Sequence, residues 1–354
     1  MANPLTRRLA VFLSGALLAG AIAAATSVGE RASASTSHAR ALAADANAPL
    51  RADRLAQAVT FRGGPITTTS GEVVDVRVSD SLPLQTSTPE GWAEFIAGLT
   101  HGPEISELRT YIVTFAEVQE ICGSRALGCY RADEMVAPGE VAVDISPEEV
   151  VRHEYGHHVA FHRLNAPWTA VDWGPKRWAS AANVCAKVSR REAFPGDGGT
   201  NYARNPGEAW AEAYRLMDER RAGITSATWP IVAQSFYPSE AALQAAEQDV
   251  VQPWAAASTR TFTKVFGKKT AKVWWIPLMT PLDGNLRISA TMPNGGTHDV
   301  TLVGANRRTV VGRAEWVGQR VKRLDGSVCG QRSLFVRVTQ KGSLGRVRVS
   351  VTLP

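Results

Sequence analysis

The stretch Ser146-Pro147-Glu148-Glu149-Val150-Val151-Arg152-His153-Glu154-Tyr155-Gly156-His157-His158-Val159-Ala160-Phe161-His162 decides how this 354-residue chain is read. It opens as a helix. Ser146 can cap the N-terminus, Pro147 suits the first helical position, and Glu149 completes a Ser-x-x-Glu capping box. The helix is predicted to run to about Leu164, before Asn165 and Pro167. Residues four apart share one helix face, so His153 and His157 present two imidazoles to one point. A catalytic zinc needs three protein ligands and an open fourth position. Glu154 lies beside the pair, placed to take a proton from a water that such a metal acidifies. His158 and His162 repeat the spacing, turned about 100° from the first pair. With no glutamate between them, they are read as packing, solvent-exposed or supporting residues.

A second helix downstream carries the next chemistry. Asn205-Pro206 is again a cap followed by proline, and the apolar residues Trp210, Ala213, Tyr214 and Met217 continue it. Glu208 and Glu212 share one face of that helix, and metal-bound histidines normally need a carboxylate or carbonyl partner. The alternative is a pair of solvated glutamates on an amphipathic helix. Upstream, Glu90–Leu99 shows helical spacing and Glu72–Val78 alternates as a strand does. Leu108–Val118 is rich in β-branched and aromatic residues, and Val141–Ile145 alternates again just before the key helix. Ser239–Val250 repeats the helical pattern. Between Asn165 and Asn205 the chain reads as loop.

From about Arg260 the texture changes to short β-branched runs separated by Gly, Pro, Asn and Asp: Lys272–Ile276, Leu286–Ala290, Val300–Val303, Thr309–Val311, Ser333–Val338 and Gly345–Leu353. That spacing predicts an all-β sandwich over residues 258–354. Charge follows the same division. Lys and Arg minus Asp and Glu give +2 for residues 1–87, −9 for 88–257 and +13 for 258–354. A basic last domain is either a soluble, lysine- and arginine-studded surface or a face for an anionic cell-envelope polymer; nucleic acid is not among the expected partners.

The N-terminus is laid out as an export signal over residues 1–34. Arg7 and Arg8 precede the uncharged, largely apolar run Leu9–Ala25, and small-residue cleavage sites such as Ala32-Ser33-Ala34 follow. Residues 35–87 read as an N-terminal extension or pro-segment, loosely packed. No other segment approaches membrane-spanning length, so no stable span is expected after cleavage. Four cysteines, Cys122, Cys129, Cys185 and Cys329, fit an oxidising, extracellular or cell-envelope location. Cys122–Cys129 is the preferred pair because it closes a short glycine-containing loop; Cys185–Cys329 is then the second.

The run His153-Glu154-Tyr155-Gly156-His157-His158 resembles the helix of zincin-type zinc metallopeptidases. Asn205-Pro206-Gly207-Glu208-Ala209-Trp210-Ala211-Glu212 resembles the second helix of their glutamate-ligand branch, the gluzincins. The resemblance covers about residues 88–257 and implies an α+β, zincin-like metallopeptidase domain ahead of the β-sandwich. It also implies one Zn²⁺ held by His153, His157 and Glu208, with Glu154 as base and Glu212 supporting a zinc histidine. The assignment between Glu208 and Glu212 stays open to reversal. Fifty-one residues separate His157 from Glu208, longer than in compact members of the branch. A peptidase further needs a donor for the oxyanion, for which Tyr202 is the first candidate and Tyr214 and His162 follow. The implied activity is hydrolysis of peptides or proteins outside the cell, with Val141–Ile145 as the edge that pairs an extended substrate. A zinc amidase acting on cell-wall peptides and a polymer-binding or adhesion protein are the other readings. The basic domain is loosely similar to β-sandwich modules appended to secreted bacterial peptidases.

Overall fold

The computed structural model describes residues 59–142, 144–225, 227–229 and 231–354. The expected export segment 1–34, and residues 35–58 of the expected extension, lie outside the described residues. The chain divides near residue 255 into two compact units, which are mixed α/β and all-antiparallel β, respectively.

The first unit is built on a five-stranded sheet in the order β1-β2-β3-β5-β4. Its strands are β1 (Phe61–Thr67), β2 (Val73–Ser79), β3 (Arg109–Val113), β4 (Cys129–Arg131) and β5 (Glu134–Pro138). β2, β3 and β5 run parallel, while β1 and β4 are antiparallel edges. The helices are α1 (Pro89–Ala97), α2 (Phe115–Cys122), α3 (Pro147–Phe161), α4 (Ala170–Trp173), α5 (Lys176–Ala181), α6 (Val184–Ser189), α7 (Pro206–Arg221) and α8 (Glu240–Val251). A two-stranded ribbon, β6 (Leu164–Asn165) and β7 (Trp168–Thr169), follows α3. Val74, Val76, Val78, Ile112, Met135 and Ala137 from the sheet close one core with Val151, Tyr155 and Val159 of α3 and Trp210 and Tyr214 of α7.

Both functional helices begin where their caps dictate. Ser146 Oγ accepts from the Glu149 amide while the Glu149 carboxylate accepts from the Ser146 amide. Asn205 Oδ1 accepts from the Gly207 amide. Gly207 is needed there for a second reason: a Cβ would lie 2.4 Å from the Val171 carbonyl oxygen of α4.

Several expectations are corrected. The strand expected over Glu72–Val78 is β2, but with β1 (Phe61–Thr67), which sequence placed in a loose extension, it belongs to the central sheet. Gly63-Gly64-Pro65 looks like a break, yet β1 is an edge strand, where proline is tolerated. Gly63 sits at φ 99° beneath Pro89, with no room for a Cβ. The strand expected over Leu108–Val118 stops at Val113, because Thr114 and Glu117 form a capping box that starts α2. In place of the strand expected over Val141–Ile145, Ala142 and Ile145 bridge back on each other, with Asp144 at φ 64°. α3 ends at Phe161 rather than Leu164, and the expected loop after it holds β6, β7 and α4–α6.

The second unit packs two antiparallel sheets. One has the order β13-β14-β10-β16-β8, the other β12-β11-β15-β9. The strands are β8 (Ser258–Phe266), β9 (Val273–Met279), β10 (Gly284–Thr291), β11 (Asp299–Gly304), β12 (Val310–Arg313), β13 (Glu315–Trp316), β14 (Val321–Val328), β15 (Ser333–Thr339) and β16 (Gly345–Leu353). Alternate residues of the facing strands, including Ile288, Val336, Val338, Val347, Val349 and Val351, fill the space between them. Sequence reading missed β8, β13 and β14. In β8 the cross-strand pairs are hydroxyls, Thr259 with Thr352 and Thr261 with Ser350. In β14 a lysine, Lys322, is buried with its amine 4.8 Å over the Trp316 ring. The chain is thus an α/β domain followed by an all-antiparallel β-sandwich.

Candidate metal centre

α3 and α7 cross at very short range. A Cβ at Gly156 would meet Ala211 Cα at 2.8 Å, and Trp210 Nε1 donates to the Gly156 carbonyl at 2.7 Å. The glycine lets the two backbones touch, which brings polar side chains from both helices to one point inside an apolar surround.

Three ligand-type atoms converge there. His153 Nε2 and His157 Nε2 each lie 3.3 Å from the same oxygen, Glu208 Oε2. All three atoms fall within 4.8 Å of one another. Ligands of a tetrahedral zinc with bonds of 2.0–2.1 Å stand about 3.3 Å apart. Two neutral imidazoles and a carboxylate are also a donor set suited to a divalent transition ion. His153, His157 and Glu208 therefore fit a metal ion in both spacing and chemistry.

The remaining residues are arranged around that cluster. His153 Nδ1 lies 3.1 Å from Glu212 Oε2, on the side away from Glu208. Glu212 is fully buried and accepts two hydrogen bonds from Arg215, at 2.7 and 3.1 Å. Arg215 in turn donates to both oxygens of Glu219 at 2.7 Å and to the Thr228 carbonyl at 2.6 Å. Tyr202 donates to Glu208 Oε2 at 2.8 Å from the rim of the site, with 37% of its surface exposed. Glu154 is buried, and its carboxylate lies against Gly128, where an added Cβ would be 2.9 Å from Glu154 Oε1.

Charge within the metal-free cluster is strongly coupled. Burial alone would lower the His153 pKa, but hydrogen bonds to Glu208 and Glu212 overcome it and push the pKa up to about 10. Burial likewise opposes ionisation of Glu208, yet the facing His157 and His153 hold its carboxyl well below the usual carboxylate range. Glu154 is raised by burial, with the two histidines only partly offsetting it. Glu212 is lowered, as its contacts with His153 and Arg215 outweigh its burial.

His153, Glu154, His157, Glu208, Glu212 and Tyr202 are thus brought together. The two reserve oxyanion donors are not. Tyr214 is buried and donates to the Thr100 carbonyl at 2.6 Å, and His162 faces Asp133 at 2.6 Å. Sequence reading missed Arg215, although its place three residues after Glu212 and four before Glu219 is a visible ion-pair spacing. It also missed Gly128 and the edge strand β4, which no local pattern marks. Cys122 and Cys129 are joined, and no cysteine is free. Among the described residues no helix is long and apolar enough to cross a membrane.

No family model and no curated protein matches the chain. Among solved structures it is similar to the pre-peptidase C-terminal domain of a collagenase from Bacillus anthracis, at 13% identity over 27% of this chain and 88% of that one, with a TM-score of 0.22.

Proposed function

We propose that the chain is a secreted zinc-dependent endopeptidase of the glutamate-ligand zincin type. The observation that carries this reading is the meeting of His153 Nε2 and His157 Nε2 on one oxygen of Glu208, with Glu154 next to the first histidine on the same helix. When bound, zinc would supply Lewis-acid polarisation of a carbonyl and acidify water. His153, His157 and Glu208 would hold it, and Glu212, clamped by Arg215, would fix the His153 ring by accepting from Nδ1. Glu154 takes a proton from the attacking water and passes it to the leaving nitrogen; its burial raises its proton affinity, which suits a group that holds a proton between two steps. The Tyr202 hydroxyl, at the rim, is the donor closest to hand for the developing oxyanion. With Val141–Ile145 not extended, the substrate-pairing edge passes to β4, the outer strand of the sheet on the α3 side. The disulfides support an oxidising compartment.

The test is Glu154→Gln in the full chain. The variant is expected to keep its metal and lose peptide hydrolysis by at least about 10²-fold. Wild-type proteolysis by a contaminant-free preparation of it would end the proposal. Casein and purified peptidoglycan, offered side by side, separate a peptidase from an amidase of cell-wall peptides.

A second reading concerns the sandwich. On the outward face of its five-stranded sheet, Arg323, Arg346 and Arg348 stand with Thr259, Thr261, Thr263, Ser350 and Thr352, while Arg287 on that face is ion-paired with Asp325. Cations set among hydroxyls suit an anionic cell-envelope polymer. Replacing Arg346 and Arg348 by Gln should weaken polymer binding by the full chain and flatten its salt dependence; an unchanged salt response counts against it.

A further inference from the structure

We propose that Asp133, His158 and His162 form a second site for a divalent transition-metal ion of the zinc class, which ties the β4–β5 hairpin to the C-terminal turn of α3. The proposal does not depend on the peptidase reading.

The hairpin places Asp133 by its turn. Ala132 and Asp133, the two residues between β4 and β5, both have positive φ, 44° and 67°, the conformation of a tight two-residue hairpin loop. Asp133 thereby points at the helix face that bears His158 and His162. Those two rings stand 4.7 Å apart between centroids, comparable to the 5.1 Å of His153 and His157 one step around the helix. One ring nitrogen of His158, one of His162 and an Asp133 carboxylate oxygen all lie within 4.8 Å of one another. Asp133 Oδ1 is 2.6 Å from His162 Nε2 and 3.5 Å from His158 Nδ1. These separations bracket the spacing of about 3.3 Å expected between zinc ligands.

Hydrogen bonding turns one lone pair of His158 toward this cluster. His158 is fully buried, and its Nε2 lies 2.7 Å from the Glu104 carbonyl oxygen, which can only accept. Nε2 therefore carries the proton, and in the neutral ring Nδ1 presents a lone pair to the cluster. A carbonyl behind the ring is also the support that metal-bound histidines use. Tyr130 accepts from the Asp133 amide at 3.0 Å and has one proton to give. Two acceptors compete for it, His158 Nδ1 at 3.1 Å and Asp133 Oδ1 at 3.3 Å. Asp133 Oδ1 also has His162 Nε2 at 2.6 Å, so two ring nitrogens and one phenol hydroxyl converge on a single carboxylate oxygen. The two nitrogens and the carboxylate would hold such a cation, with the Tyr130 hydroxyl beside them. Its role is structural, since it would lock β4 against α3.

The test is metal counting on the full chain, stripped with a chelator and titrated with Zn²⁺. Wild type is expected to bind two equivalents, and His162→Ala and Asp133→Asn one each. Glu208→Ala is expected to bind one, and Glu208→Ala/His162→Ala none. His162 and Asp133 are the partly exposed members, so their replacement leaves the core filled, and circular dichroism verifies folding. A single wild-type equivalent that is lost in His162→Ala and kept in Glu208→Ala supports this site and sinks the peptidase centre. Two equivalents surviving in both His162→Ala and Asp133→Asn overturn the proposal, as does a single wild-type equivalent that His162→Ala leaves in place, or none at all.

Discussion

His153 Nδ1 lies 3.1 Å from Glu212 Oε2, so one imidazole is gripped from both sides, with Glu208 at 3.3 Å from its Nε2. The two glutamates, one turn apart on α7, are not equivalent. Glu208 meets both histidines, whereas Glu212 meets only His153 and is tied up by Arg215. That asymmetry favours Glu208 as ligand and Glu212 as the group that orients the ring.

Removing each glutamate should therefore give different losses. Glu208→Ala is expected to abolish zinc binding at this centre. Glu212→Ala should weaken it by about 10–100-fold while leaving a bound ion at saturating zinc. Competition against a chelator of known affinity measures both. The reverse ranking would show that the ligand and the orienting residue have been exchanged.

Metal uptake should release a proton. In the metal-free cluster the His153 pKa is raised to about 10, so at neutral pH the ring carries a proton that a metal must displace. Apparent affinity should rise about tenfold per pH unit between pH 7 and 9, levelling off above about 10. In the metal-free protein the sign for stability is the opposite. A histidine whose folded pKa is raised adds stability that is fully present below its unfolded pKa of about 6.5 and is lost as the pH climbs through about 10. Calorimetric titration in buffers of different ionisation heat counts the released proton; a buffer-independent heat would contradict the arrangement.

The contact between α3 and α7 should not accept a side chain at Gly156. A Cβ there meets backbone, Ala211 Cα at 2.8 Å and its carbonyl at 3.1 Å, and backbone has no rotamer to escape into. Gly156→Ala is expected to cost about 1–3 kcal/mol of stability. It should also loosen zinc, because His157 and Glu208 sit on the two helices being pushed apart. Thermal unfolding and chelator competition on the same sample would show whether the two effects travel together.

What could be read from sequence follows the range of the forces involved. The starts of α3 and α7 are set by side chains within three residues of the cap, Ser146 with Glu149 and Asn205 with Gly207, and these were legible. So was the His153–His157 pair, because four residues are one helical turn. The edge of the sheet was not. β4 is three residues long and is a strand only because β5 pairs with it, whereas Val141–Ile145 alternates well and folds back on itself. Asp133 was equally invisible, since a hairpin turn carries it to histidines 25 and 29 residues away in the chain. Local capping and periodicity declare themselves; positions fixed by a distant strand or helix do not.

The tight packing of Gly128 against Glu154 gives the last expectation. Gly128 precedes β4, and an added Cβ would lie 2.7 Å from Val150 Cγ1 and 2.9 and 3.0 Å from Glu154 Oε1 and Cγ. None of these atoms belongs to His153, His157 or Glu208, so the proposed metal ligands would be untouched. The carboxylate of Glu154 is the movable neighbour, and Gly128→Ala should displace it by several tenths of an ångström. A general base moved off line loses rate rather than binding, and a misplacement approaching 1 Å can cost about 10²-fold. Gly128→Ala is therefore expected to hold zinc with wild-type affinity and to lower kcat by about 10–100-fold, with KM little changed. Loss of metal in this variant would place Gly128 in the scaffold of the ligands instead, and unchanged kcat would mean that Glu154 is free to shift without consequence for the chemistry.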